Sequence, residues 1–374
     1  MVLFILYGTL ICCLFSGTLS LDATIVQLHA YPMIFIVFIQ FFLGFLFVVF
    51  PRFLMQAVIP AEVYMRHFFL FFGGSLLYTV GLLLFTPLLV AASILLLAAQ
   101  VNAFVLLLSI YRKSIVKDKT DTRWVLVAFA SGIVANVCAV LFSVGLQVPL
   151  LERAATSGGF YLFLFLLIFT ISQRMIPHFT EVKVTDYRVN KTPRLLETLF
   201  VLLLVKVLFQ LLQRPEYEFV ADIPLLLLFV REFAKWRLPV TKVPPIIWIL
   251  YLSLLWIPLG FLLSAVHSLA ELAGTSFLFE KASLHALAVG YFLTMLIGFG
   301  TRVVLGHSGR VPTADRGTVA LIFFIQIVAL SRIVAAFSTN FGGYDTWIAL
   351  SAAMMVAALL AWSIRYFKIL AISF

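Results

Sequence analysis

Six histidines, His29, His67, His178, His267, His285 and His307, are set in a chain of 374 residues of which only 11% are charged. Neutral imidazole is the commonest protein ligand for transition metals and a frequent axial ligand of haem iron, so their placement is the first chemical question. Two of them bracket one apolar run: residues 283–310 read SLHALAVGYFLTMLIGFGTRVVLGHSGR. As a continuous helix, the segment from His285 to His307 would extend about 33 Å at roughly 1.5 Å per residue. One metal cannot touch both. At about 100° per residue the two would lie within roughly 40° in azimuth, on a similar side of the helix.

The elements that must carry these side chains follow from composition. The chain is 63% hydrophobic with a mean hydropathy of +1.13, which excludes an ordinary soluble domain. A bilayer crossing needs roughly 20 apolar residues. About twelve stretches qualify, near 2–19, 32–50, 68–86, 88–111, 124–148, 159–177, 194–213, 222–238, 244–267, 283–305, 317–338 and 346–367. The expected fold is therefore all-α, a polytopic integral membrane helix bundle forming one domain over residues 1–374. The first stretch has the small residues of a signal peptide after its apolar core, but its apolar length and lack of a basic lead suit a span. No internal repeat points to an inverted-repeat transporter.

The net charge of +10 reads as topology and not as a nucleic-acid partner. With the N-terminus cytoplasmic, Arg153, Arg214 and Lys281 fall outside, Lys206 and Arg332 fall within spans, and every other Lys and Arg faces the cytoplasm. That is the orientation rule of membrane proteins, and it places both termini on the cytoplasmic side. The acidic residues divide between the two faces, Glu218 and Asp222 among those outside, with almost none expected at mid-bilayer. That pattern argues against an ion-coupled carrier. Cys12, Cys13 and Cys138 lie in apolar spans without a CxxC or CxxCH arrangement, which argues against covalent c-type haem attachment.

Topology sorts the histidines into two sets. His29, His267 and His285 lie at the outer boundary, and His67, His178 and His307 at the cytoplasmic one. The sets could form two sites, or simply amphipathic side chains at headgroup level. Gly290, Thr294 and Gly298 recur every fourth residue, a flat stripe suited to close helix packing or, less directly, to a planar cofactor.

LHALAVGYFLTMLIGFGTRVVLGHSGR closely resembles the signature of the NnrS family, bacterial inner-membrane proteins described as binding haem and copper and acting in the response to nitric oxide. The family pattern is LHAL-x-VG, a variable apolar stretch, then TR and LGH-[ST]-GR. His285, Gly290, Thr301, Arg302, Gly306, His307, Gly309 and Arg310 occupy those positions. HAYPMIFIVFIQFFLGFLFVVFPRF, from His29, is similar to the family's HAHEM and the apolar span after it, and QRMIPHFT resembles GR-x-IP-x-FT. Tyr31 and Pro32 replace the second His and the Glu of HAHEM, so a metal site needing both would be altered or lost.

The resemblance implies a haem-binding protein of the bacterial inner membrane, with b-type haem, copper as a further candidate, and nitric oxide or a related small gas as ligand. It implies His29 and His285 as axial-ligand candidates at the outer face, with His267 as spare ligand or supporting partner; these three are also the metal-ligand candidates. His307 would belong to a cytoplasmic-side site with His178 or His67. Arg302 and Arg310 match haem propionates, since guanidinium meets carboxylate bidentately, or serve as topology-setting charge. Two readings compete: a dihaem protein passing electrons across the membrane, and a transporter or metal-delivery protein without redox chemistry. Binding or scavenging needs no turnover, so the sequence leaves enzyme and binding protein both open. No Walker, Rossmann, Ser/His/Asp or HExxH arrangement is present.

Overall fold

A bilayer interior offers the backbone no water, so an apolar chain must satisfy its amides within helices. A computed structural model follows that rule: it is 82% helix, with no strand among the described residues. The structure describes residues 1–372 apart from Asp22, Ser276 and Leu278, and only the backbone of His307 and 370–372. Twelve principal helices follow in chain order. They are α1 Val2–Phe15; α2 Val26–Phe53, α3 Ala61–Leu83, α4 Pro87–Lys113, α5 Thr120–Ser143 and α6 Pro149–Lys183; α7 Leu195–Leu211; α8 Phe219–Trp236; and α9 Pro245–Leu272, α10 Glu280–Gly306, α11 Arg316–Asn340 and α12 Tyr344–Ile369.

Each expected apolar stretch has its helix, but among the described residues nine helices, α2–α6 and α9–α12, are long and apolar enough to cross a membrane. The other three fall short for separate reasons. The 14 residues of α1 reach about 21 Å and the 17 of α7 about 26 Å, against a hydrocarbon core of about 30 Å. Helix α8 carries Asp222, Arg231, Glu232 and Lys235 within 18 residues. The expectation of about twelve crossings thus stands on nine helices that meet the requirement and three that do not.

The chain divides into two compact units. One comprises residues 21–172 with 210–212; in it α3 packs on α4, α4 on α5, and α5 on the first part of α6. The other comprises residues 1–20, 173–209 and 213–374. There α1 lies along α12, α12 along α11, α8 along α9, and the start of α10 against both α9 and α11.

Glycines set how closely these helices approach. A Cβ on Gly132 of α5 would sit 2.5 Å from the Phe163 ring of α6. On α10, a Cβ at Gly290 would sit 2.2 Å from the Trp256 indole and one at Gly298 2.7 Å from Leu250. Thr294 between them accepts a hydrogen bond from Gln326 at 3.0 Å. The expected stripe is therefore a packing surface, filled by α9 and α11.

Two caps start helices as their sequences indicate. Thr24 and Gln27 form a reciprocal capping box ahead of α2: Gln27 N–H donates to Thr24 Oγ1 at 3.3 Å and Thr24 N–H to Gln27 Oε1 at 3.0 Å, satisfying two amides left over by helix geometry. Asp315 caps α11, accepting from the Thr318 N–H at 3.0 Å and from its hydroxyl at 2.8 Å, and it pairs with Arg365. Three spans are locally wound as π-helix, over Val26–Ala30 and Met33–Phe38 in α2, Ala154–Phe165 in α6 and Ala286–Leu293 in α10. The last removes the azimuthal agreement expected between His285 and His307, because i→i+5 winding changes the angular step.

Two stability predictions follow. Gly290→Ala forces its methyl into the Trp256 ring and should cost about 1–3 kcal/mol as overpacking, with Gly290→Val costing more; Gly306→Ala, with nothing within 4 Å, should be neutral. Thermal midpoints in detergent distinguish these outcomes. The Thr318 N–H, then its hydroxyl, hold the Asp315 carboxyl below the usual carboxylate range. The cap's contribution is therefore present above that range and lost only as pH falls through the depressed value. Asp315→Ala should cost up to about 1 kcal/mol, less because solvent screens the exposed carboxylate, and Asp315→Asn should retain most of it; melts at pH 7 and pH 4 check both.

Candidate functional site

His285 ends the first α-helical stretch of α10, just where the winding changes to π. Its Nδ1 lies 2.7 Å from the Lys281 carbonyl oxygen. A carbonyl only accepts, so Nδ1 carries the proton, and in the neutral ring Nε2 is the basic nitrogen. Metal-ligating histidines are commonly held this way, one ring nitrogen on a carbonyl and the other on the metal. The imidazole is half-buried.

His267 lies on α9 in the same unit. It is buried, at 5% exposure, packs edge-on against Phe279 with centroids 5.0 Å apart, and its Nε2 makes no hydrogen bond. The nearest acid is Glu271, with Oε1 3.8 Å from that nitrogen. Glu280, Glu218, Lys206 and Lys281 stand within electrostatic reach. His267 thus lies near the end of α9 and His285 near the start of α10, on either side of the short connection between them.

His29 belongs to the other unit, half-buried in the π-wound turn at the start of α2. Two residues on, Tyr31 takes up a structural role. Its hydroxyl donates to Asn136 Oδ1 at 3.2 Å, and Asn136 Nδ2 donates to Gln100 Oε1 at 2.9 Å. Its ring stacks on Tyr78 at 4.9 Å, and the Tyr78 hydroxyl donates to the Gln27 carbonyl at 3.0 Å. Beside this pair is a cavity of about 40 Å³, lined in part by Thr24, Gln27, Tyr31, Tyr78, Glu152 and Thr156. At about 10–15 Å³ for each water centre it admits a few waters or one small molecule.

The candidates expected at the cytoplasmic side divide between the two units. His67, in the unit of His29, is buried with its ring 5.2 Å from Phe47. His178 is exposed near the end of α6. The His307 side chain lies outside the described residues. Arg302 places its guanidinium carbon 3.8 Å from the centre of the Phe179 ring, a cation–π contact that uses none of its N–H donors. Arg310 is exposed beyond the end of α10.

Sequence reading missed the most strongly buried charges. Lys206 on α7 is fully buried and reaches Glu218 Oε2 at 2.5 Å, Asp222 Oδ2 at 3.0 Å and Ser264 Oγ at 2.8 Å. Asp222 is also fully buried, and so is Glu232, although both carry charges assigned to the faces of the bilayer. Glu232 is held by the Thr192 N–H at 3.1 Å and the Trp236 indole N–H at 2.8 Å. The signals were a lysine inside an apolar run and carboxylates at 218 and 222, four apart on one helical face. Ser264, His267, Ser268 and Glu271 form the matching polar stripe on α9.

In donor chemistry the residues of the His267–His285 end fit haem: one imidazole has its Nδ1 proton on a carbonyl, which makes Nε2 the basic nitrogen of the neutral ring, and the other has a buried Nε2 without a hydrogen bond. Copper finds less, since among the described residues no group of three or more His, Cys, Asp or Glu could hold a metal ion. A family model described as NnrS protein matches residues 1–372, taking in all of these candidates. None of the curated proteins matches the chain.

The Tyr31 network is testable by itself. Tyr31→Phe leaves the buried Asn136 carbonyl oxygen without its hydroxyl donor and should cost about 1–3 kcal/mol, read as a lowered thermal midpoint. The double variant Tyr31→Phe with Asn136→Leu should lose less than the sum of the two single changes.

Proposed function

The chain belongs to the NnrS family, and from that premise we propose that it is a multi-pass haem protein of the bacterial inner membrane that binds nitric oxide and protects the cell against nitrosative stress. The topology proposed is twelve crossings with both termini cytoplasmic, in one polytopic domain; the family match supports this by running through both compact units.

The observation that carries the haem assignment is His285. Its Nδ1 bond to the Lys281 carbonyl supports the reading, because it leaves Nε2 as the basic nitrogen of the neutral ring, and the adjoining π-wound segment Ala286–Leu293 is a local departure of the kind that clusters at functional sites. His285 would hold b-type haem, with His267 as second ligand or supporting base. Haem, when bound, supplies the iron at which nitric oxide is taken up. The chain's own part is to orient the His285 ring through its Nδ1 bond and to keep the His267 imidazole out of water against Phe279; Arg302, near the other end of α10, would serve a carboxylate of the cytoplasmic-side site instead. Ligation by His29 and a second site around His178 and His307 are proposed on the resemblance alone. Copper remains an expectation of the family pattern, weakened here by Tyr31 and Pro32.

Protein purified in detergent after expression with ample haem should show a Soret band that shifts when nitric oxide is added. His285→Ala should abolish or strongly reduce it, and His178→Ala should leave it in place if the His285 end is the principal site. Absence of Soret absorption from folded wild-type protein would overturn the assignment. Two haems per chain, titrating in two redox steps, would favour transmembrane electron transfer over gas binding.

A further inference from the structure

Lys206 stands at the centre of the most buried ionisable cluster among the described residues, and its charges do not cancel. The ammonium has three donors, and all are engaged by Glu218 Oε2, Asp222 Oδ2 and Ser264 Oγ. Two carboxylates therefore share one cation. Asp222 is 0% exposed, Lys206 0% and Glu218 9%. In an interior of low dielectric a surplus negative charge is costly, and such groups take up a proton or a cation instead.

One atom identifies where. Asp222 Oδ1 lies 2.9 Å from the Lys206 ammonium nitrogen, in ion-pair contact, but without a hydrogen bond. The Ser264 hydroxyl bonds to the same carboxyl, and an Oδ1 that carries a proton becomes a donor within this buried group. We infer that Lys206, Glu218 and Asp222 form a proton-binding site that holds one proton on its carboxylate pair at neutral pH.

The site is reached from the end of the bundle where α7 gives way to α8. Arg214 and Glu216 lie in that connection, 3.3 Å apart and partly exposed. From α9, His267 and Glu271 face the cluster, and from α10 Glu280 and Lys281. Ser268 Oγ accepts the Phe219 N–H at 2.9 Å, tying the first turn of α8 to the polar stripe of α9. Titratable groups thus run from the exposed Glu280 and half-exposed Glu271 toward the buried pair. This inference is independent of the haem assignment.

Infrared difference spectroscopy of the full-length protein in detergent, between Asp222→Asn and wild type at pH 7, provides the test. The wild type should show a protonated-carboxyl C=O band that Asp222→Asn or Glu218→Gln removes. Because the folded state holds the extra proton, wild-type stability should fall as pH rises from 6 to 9, and Asp222→Asn should flatten that dependence while remaining folded. Lys206→Met should strengthen proton uptake if it folds. No protonated-carboxyl band in the wild type, with the same pH dependence in both proteins, would overturn the site. Stabilisation by added sodium without such a band would replace the proton by a cation and equally overturn it.

Discussion

Water is missing from the hydrocarbon interior, and the chain has to satisfy its own polar atoms there. The backbone does so as helix. Hydroxyls within spans fold back onto the carbonyl one turn earlier: Ser75 onto Phe71, Ser93 onto Leu89, Thr170 onto Leu166 and Ser172 onto Ile168. Groups too large or too charged for that solution must find partners on other helices. Those partners then fix which helices meet, as Trp256 with Gln326 and Gln326 with Thr294 link α9, α11 and α10. The Trp256 ring fills the notch at Gly290 while its indole N–H donates at 2.6 Å. Packing and polar satisfaction are in that way one contact.

The apolar helices and the histidines near their ends were legible because both are local. Apolar length marks a crossing, and a histidine beside it marks a boundary. The placement of His267 and His285 at one end followed from a short connection between consecutive helices. The burial of Lys206 and Asp222 was harder to read, because a charge near a helix end is consistent with headgroup exposure unless its partners are known. Ser264 is 58 positions from Lys206, and Asn136 is 105 from Tyr31. No window of sequence connects such pairs. The π-wound segments were equally hidden, since apolar periodicity assumes the α-helical step that they abandon.

Tyr31 shows how a departure from a family pattern can be absorbed. The position is buried and sits in the second turn of α2, so a polar group there needs a partner whatever its identity. Tyrosine supplies its own apolar body, which stacks on Tyr78, and places one hydroxyl at Asn136. The resulting chain to Gln100 is a self-contained use of the site. His29, two residues earlier, is half-buried, and the loss of its neighbour's imidazole does not by itself decide its role.

Two cations of this protein, Lys206 buried and Arg302 half-buried, are satisfied by different physics, and the difference bears on what each can hold. Lys206 is a compact ammonium whose donors end on oxygen in three directions; no further anion can reach it without displacing a carboxylate. Arg302 instead places its guanidinium over Phe179, an attraction to the ring quadrupole that consumes none of its N–H groups. Its donors lie in the plane of the guanidinium. An arginine held in this way remains able to grip a carboxylate. Of the two, Arg302 is therefore the residue suited to an anionic group on a ligand, and Lys206 is suited to govern the proton on its own acids.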